Sequence, residues 1–113
     1  MDTHNPDDYH SECQRLQELM QELAGRDMKR FLALDHQVYA DSALPANTKE
    51  LLGLAASTAL RCEDCIRYHL RRAHELGVST AEIVDCFSVA MIVGGSITIP
   101  HVRGALALWQ EWQ

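Results

Sequence analysis

Apolar residues recur every three or four positions along most of the chain, which is the spacing of amphipathic α-helices. The pattern predicts about six helices, which span approximately residues 11–24, 26–40, 47–61, 62–76, 80–93 and 101–112. One β-like run, Ser96–Ile99, is too short to build a sheet. The chain is therefore predicted to be all-α, with short connections between its helices.

Several helix ends are marked by residues that favour them. Two capping-box patterns, Asn47 with Glu50 and Ser79 with Glu82, predict the starts of the third and fifth helices. The fifth helix is apolar nearly all round, which predicts that it is buried on every side, in a core or a subunit interface. Residues 1–10 carry almost nothing to bury and are predicted to be frayed or to lead into a helix, which Asn5-Pro6 could cap and start.

Length and composition indicate a single globular domain over residues 1–113. Hydrophobic residues make up 47% of the chain, an ordinary proportion for a globular protein. The formal net charge of −6 argues against nucleic acid and anionic membranes as partners. No apolar run approaches the ~18 residues of a membrane span, and the acidic, polar N-terminus does not resemble a signal peptide. We therefore expect a cytoplasmic protein, in which a close Cys pair is catalytic or metal-binding rather than part of a disulfide framework.

The candidate chemistry lies in the segment Cys62-Glu63-Asp64-Cys65, which is followed by His69. In a helix, Cys62, Cys65 and His69 share one face, because residues three and four apart are neighbours. A free thiol has a pKa of about 8.5. A helix start and a nearby imidazole both favour the reactive thiolate. Glu63 and Asp64 oppose it, since negative charge beside a sulfur raises the pKa of a thiol.

Glu50 is the candidate third member of this site. It precedes Cys62 by twelve residues, which is about 18 Å along a straight helix, so it cannot reach the thiols within one helix. If the chain reverses near residues 61–62 as an antiparallel hairpin, Glu50 faces roughly residues 72–73. His69 then lies about one turn away, within reach directly or through a water molecule.

The spacing of these four residues resembles a known family. Glu50, Cys62, Cys65 and His69 are similar to the E-x11-C-x2-C-x3-H pattern of alkylhydroperoxidase D-like proteins in the carboxymuconolactone decarboxylase superfamily. The likeness covers roughly residues 30–112. It implies an all-α helical bundle with a central antiparallel helix hairpin. It also implies homo-oligomers, often trimers or hexamers, and thiol peroxidase or disulfide reductase activity.

The resemblance further implies a role for each site residue. Cys65 would attack a small peroxide, or a small disulfide, and Cys62 would close a redox-active disulfide. His69 and Glu50 would relay protons, and an external dithiol would reduce the pair with no bound cofactor. Some members have a histidine directly before the second Cys, where this chain has Asp64. That departure argues against efficient peroxidase turnover. The decarboxylase branch generally lacks the Cys pair, so we do not expect lactone decarboxylation.

Two other functions stay open from the residues alone. Cys62, Cys65, His69 and Glu50 form an acceptable zinc ligand set. A soft site would more usually supply a second Cys pair, which this chain lacks. The third hypothesis is a non-catalytic helical scaffold that has the same fold.

Other reactive side chains are expected to have ordinary roles. Cys86 lies in the apolar fifth helix and is predicted to be a packed thiol. His101, which follows Pro100, is expected to cap a helix, lie at the surface or line the pocket. Arg72 is predicted to belong to a solvated helix face.

Overall fold

A computed structural model of the protein describes residues 6–113, and within them it contains six α-helices, one 3-10 turn and no strand. The elements are α1 (Pro6–Leu23), α2 (Arg26–Val38), α3 (Ala46–Leu60), α4 (Glu63–Glu75), α5 (Thr80–Gly94), the 3-10 turn (Ser96–Thr98) and α6 (Ile99–Glu111). The predicted all-α class is confirmed. The chain forms two compact units, with the boundary between Val38 and Tyr39. All of the candidate site residues lie in the second unit.

The first unit contains α1 and α2. Helix α1 begins at Pro6 rather than near residue 11. Proline suits the first turn of a helix, because the N–H that it lacks has no partner there. Residues 6–10 therefore follow the helical alternative of the prediction and not the frayed one. Residues 1–5, with the proposed cap at Asn5, lie outside the described part of the chain.

A tight turn joins α3 to α4 and reverses the chain as the hairpin hypothesis requires. Arg61 follows α3 with a φ of 60°, in the left-handed region. The N–H groups of Arg61 and Cys62 donate to the carbonyls of Thr58 and Ser57, both at 3.0 Å. These bonds satisfy the last carbonyls of α3. The turn therefore delivers Cys62 directly to the start of α4.

The core of the second unit lies where α3 packs against α4 and α5, and where α4 packs against α6. Its buried side chains are Leu54, Ile66, Leu70, Ala73, Val78, Ile83, Phe87, Val102, Ala105, Leu108 and Trp109. Trp109 closes one end, and its Nε1–H donates to the Thr80 hydroxyl at 2.9 Å. Gly94 allows close approach at the other end. A Cβ there would lie 2.6 Å from Cγ2 of Thr98 and 3.1 Å from Cα of Ala59.

Helix α5 begins as predicted and leaves part of its apolar surface exposed in the single chain. Its capping box is confirmed, with Ser79 and Glu82 exchanging side-chain and backbone hydrogen bonds. Within the single chain only one face of α5 is covered, so burial of the remaining surface in a subunit interface stays a prediction. Val89 is 59% exposed and Ile92 is 87% exposed. The β-like run that follows α5 forms the 3-10 turn and the first residue of α6.

None of the helices in residues 6–113 combines the length and apolar character that crossing a membrane requires.

Candidate functional site

The two thiols of the predicted site are joined as a disulfide at the start of α4. Cys62 is the N-cap residue of the helix, and its sulfur accepts a hydrogen bond of 3.4 Å from the N–H of Cys65. The Cα atoms are 5.3 Å apart, an ordinary separation for a disulfide. Cys62 is half-buried and Cys65 is exposed. The pair therefore occupies the positive end of the α4 dipole with one sulfur open to solvent.

Glu50 and His69 meet directly across the α3–α4 hairpin. Oε1 of Glu50 lies 2.8 Å from Nδ1 of His69, and both side chains are buried. An ionised carboxylate can only accept, so Nδ1–H is then the donor and Nε2 of the neutral ring is left as an acceptor. The sequence allowed Glu50 to reach His69 directly or through a water molecule, and the structure shows the direct contact.

The capping role predicted for Glu50 is wrong. Helix α3 begins at Ala46 after Pro45, and no side chain caps it at the N-cap position. Asp41 accepts from the Ala46 N–H instead, at 2.6 Å. The N-cap, Pro45, lies two residues earlier than the Asn47 that the capping box required, and the Glu50 side chain points to α4 rather than back along α3.

Arg72 holds the second oxygen of the Glu50 carboxylate. Its Nε lies 3.9 Å from Oε2 of Glu50, and its Nη1 donates to Glu75 at 2.7 Å. The pKa of Arg72 is raised, chiefly by the hydrogen bond to Glu75 and also by the charges of Glu75 and Glu50. The prediction that Arg72 belongs to a solvated helix face is therefore wrong. Arg72 faces the buried carboxylate from the position where the hairpin register put residues 72–73.

Three residues that sequence reasoning missed enclose the His69 ring. The Tyr39 hydroxyl lies 3.5 Å from Nε2, and the Tyr68 ring packs edge-on with centroids 5.1 Å apart. On the α3 side, a Cβ on Gly53 would lie 2.7 Å from Cε1 of the ring. No spacing rule connects Tyr39 with His69. Gly53 did carry a signal, because a glycine inside a helix, one turn beyond Glu50, favours close packing against that face.

The His69 ring and the disulfide lie on the same helix, and the hydrogen bonds of the ring in the described residues go to other side chains. The hydrogen-bonding partners of the ring within residues 6–113 are Glu50 and Tyr39. Cys65 lies four residues before His69 on the same helix, so the two side chains share a face. One turn of α4 therefore separates the buried Glu50–His69 pair from the exposed residue Cys65.

His101 on α6 reaches the Cys-containing turn of α4. Its Nδ1 is hydrogen-bonded to Oε1 of Glu63. The contact was not predicted, since the sequence gives no register between α4 and α6. It shows that one of the two acids beside the sulfurs has a basic partner.

The remaining candidates lie apart from this cluster. Cys86 donates its S–H to the Leu51 carbonyl at 3.2 Å, and burial raises its pKa to about 11. It is thus a packed thiol, as predicted. Nowhere in residues 6–113 do three or more His, Cys, Asp or Glu side chains converge as a metal site requires. The zinc hypothesis therefore gains no support from this geometry.

Known proteins with similar sequences identify a family and a bacterial relative. Residues 28–108 match the carboxymuconolactone decarboxylase family. An uncharacterized protein in the cox locus of Paracoccus denitrificans is 33% identical over 81 residues, which is 72% of this chain and 73% of that protein.

Solved structures are similar over nearly the whole chain. A crystal structure of a Thermotoga maritima protein has a TM-score of 0.90 and 44% identity, covering 93% of this chain and 92% of that one. A second structure from the same organism has a TM-score of 0.85 and 45% identity, covering 90% and 87%. It is described as a carboxymuconolactone decarboxylase family protein with a possible involvement in antioxidative response. A Legionella pneumophila family member has a TM-score of 0.75 and 26% identity, covering 94% and 91%.

Proposed function

The chain belongs to the carboxymuconolactone decarboxylase family, and we propose that it is a thiol-disulfide oxidoreductase of the alkylhydroperoxidase type. One observation carries the proposal: a Cys62–Cys65 pair sits at the start of α4, one turn from the buried Glu50–His69 pair. The relative described as possibly antioxidative points in the same direction.

In the proposed cycle, Cys65 reacts with the peroxide. Its thiolate attacks one peroxide oxygen, the O–O bond breaks, and Cys65 becomes a sulfenic acid while an alcohol or water leaves. Cys62 then attacks the Cys65 sulfur, which forms the disulfide and releases water. Cys65 is the better attacking thiol because it is exposed, whereas Cys62 is half-buried. An external dithiol donates two electrons, breaks the S–S bond and leaves as its own disulfide.

His69 and Glu50 serve as the proton relay in this proposal. Nε2 of His69 takes a proton from a thiol through a bridging water and returns it to the leaving oxygen. Glu50 holds the ring through Nδ1 and stabilises the imidazolium that forms when Nε2 is protonated. Burial strengthens this interaction, because the effective dielectric there is lower than in water.

The proposal includes a homo-oligomer, a trimer or a hexamer, that works in the cytoplasm. Four large apolar side chains of α5 are exposed in the single chain, namely Val84, Val89, Ile92 and Val93. Exposed apolar surface of this kind favours contact with another subunit. A reducing compartment would supply the dithiol that the cycle consumes. Light scattering at micromolar concentration would report the number of subunits.

Peroxide consumption in the presence of excess dithiol tests the proposal. The parent protein should consume peroxide catalytically, and Cys65→Ser should abolish the consumption. Cys13→Ser, which removes a thiol from α1 outside the site, is the matched control and should retain the parent rate. Equal rates for Cys65→Ser and the parent would exclude the mechanism. No consumption by the parent of any peroxide or small disulfide would favour the scaffold hypothesis.

A further inference from the structure

Glu63 sits where its charge works against the reduced form of the Cys pair. It is the first residue of α4, directly after Cys62 and two residues before Cys65. Reduction of the disulfide places a thiolate at this helix end, where free N–H groups favour an anion. A carboxylate within the same turn opposes that thiolate, because like charges disfavour the ionised form.

His101 holds this carboxylate against the neighbouring helix. Nδ1 of His101 contacts Oε1 of Glu63, and the imidazole is the less exposed partner, at 23% against 54% for the Glu63 side chain. The position of His101 is fixed by its helix start. Thr98 is buried and its hydroxyl donates to the Gly95 carbonyl at 2.8 Å, and Pro100 stands in the first turn of α6.

Other charged groups surround the pair. On α4, Asp64 lies next to Glu63, and Arg67 lies one turn further along and lines a small recess together with Glu63 and Gly104 of α6. On α6, Arg103 lies two residues after His101 and is exposed. His101 makes a direct hydrogen bond to the Glu63 carboxylate from α6.

We propose that His101 is a positioning residue that sets the reduction potential of the Cys62–Cys65 couple by holding and offsetting the Glu63 carboxylate. The inference rests on the proposed function, because it assigns the couple as the working redox centre. In the half-reaction, two electrons break the S–S bond, one sulfur takes up a proton to become a thiol, and the other remains a thiolate. With His101 in place, Glu63 opposes that thiolate less, and the disulfide is easier to reduce.

Equilibrium with a small dithiol of known potential tests this, with the fraction of free Cys62 and Cys65 as the readout. His101→Ala should lower the equilibrium constant for reduction by about threefold, or ~15 mV at ~30 mV per tenfold change. His101→Asn retains an N–H donor near the position of Nδ1 and should recover most of the loss. In a Glu63→Gln background, His101→Ala should have little effect, because His101 acts through Glu63.

Two further variants serve as a control and as a replacement for the alanine variant. Glu111→Gln removes a carboxylate at the far end of α6 and should leave the potential unchanged. His101→Phe retains a ring of similar volume and replaces the alanine variant if that one fails to fold.

An unchanged potential in His101→Ala or His101→Phe would overturn the inference. So would a shift of equal size in the parent and Glu63→Gln backgrounds. Both results concern only the potential, so they are separable from the proposed function. Peroxide turnover by the parent together with an unchanged potential in the His101 variants would leave the function standing and reject the inference, whereas shifted potentials without turnover would do the reverse.

Discussion

Oε1 of Glu50 and Nδ1 of His69 lie 2.8 Å apart, nineteen residues distant in sequence and buried together between α3 and α4. The contact fixes the ring so that its other nitrogen faces Tyr39 rather than the Glu50 carboxylate. It also places a negative charge behind the group that is proposed to take a proton. The pair therefore joins α3 to α4 and lies one turn from Cys65, the thiol that is proposed to react with peroxide.

Two substitutions of Glu50 should distinguish the effect of its charge from the effect of its hydrogen bond to His69. Glu50→Gln keeps an acceptor for Nδ1–H but removes the charge that stabilises the imidazolium. We expect the rate of disulfide formation by peroxide, followed in a stopped-flow instrument, to fall by about tenfold or more. Glu50→Ala should also destabilise the fold by about 3 kcal/mol, because it leaves a buried polar ring without its partner. An unchanged oxidation rate in Glu50→Gln would remove Glu50 from the relay.

Gly53 should be intolerant of a side chain. In Gly53→Ala the Cβ would meet Cε1 of His69 at 2.7 Å, so the ring must leave its contact with Glu50 or α3 must move. We expect a loss of about 1–3 kcal/mol in the free energy of unfolding, together with slower thiol oxidation. Gly104→Ala on α6 is the matched control, since a Cβ there meets nothing within 4 Å. It should stabilise the protein by up to about 1 kcal/mol, because alanine favours a helix. Chemical denaturation of both variants distinguishes packing from helix propensity, and equal effects would contradict the packing argument.

The capping box of α5 should make stability depend on acid pH. Hydrogen bonds from the backbone and side chain of Ser79 lower the pKa of Glu82 below its usual 4.5. A group whose pKa is lower in the folded state contributes stability above its unfolded pKa, and that contribution is lost as the pH falls through the folded value. The stability difference between the parent and Glu82→Gln should therefore shrink as the pH falls below about 4.5. Ser79→Ala should cost about 1 kcal/mol at neutral pH. A pH-independent difference for Glu82→Gln would contradict the shift.

Cys86 should be nearly inert to alkylation. Burial raises its pKa from 9.0 to about 11, so its thiolate fraction near neutral pH is about 100-fold below that of an unshifted thiol. In the reduced protein, iodoacetamide should modify Cys65 first and leave Cys86 unmodified until the chain is denatured. Peptide mass spectrometry at successive times provides the measurement. Modification of Cys86 at the rate of Cys65 would show that burial does not protect it.

What the sequence predicted well depends on local rules. Ser79 and Glu82 form their capping box because both partners lie within one turn, so no distant residue has to agree. The meeting of Glu50 and His69 also followed from local information. Once the chain reverses at residues 61–62, helix geometry alone brings these positions into proximity.

What the sequence did not predict depends on contacts between distant elements. Asn47 and Glu50 have the spacing of a capping box, yet burial against His69 determines the orientation of the Glu50 side chain. Tyr39 and His101 reach the site from outside the hairpin, and no periodicity gives their registers. The same limit applies to α5, whose apolar composition predicts burial but does not show that a single chain covers only one of its faces.

A free-thiol count tests the central claim most directly. The reduced chain has four cysteines, and one equivalent of peroxide should leave two free thiols per chain, on Cys13 and Cys86, with Cys62 and Cys65 joined in one peptide pair. A count that stays at four after peroxide, or a loss of thiols with Cys62 and Cys65 still free, would contradict the account.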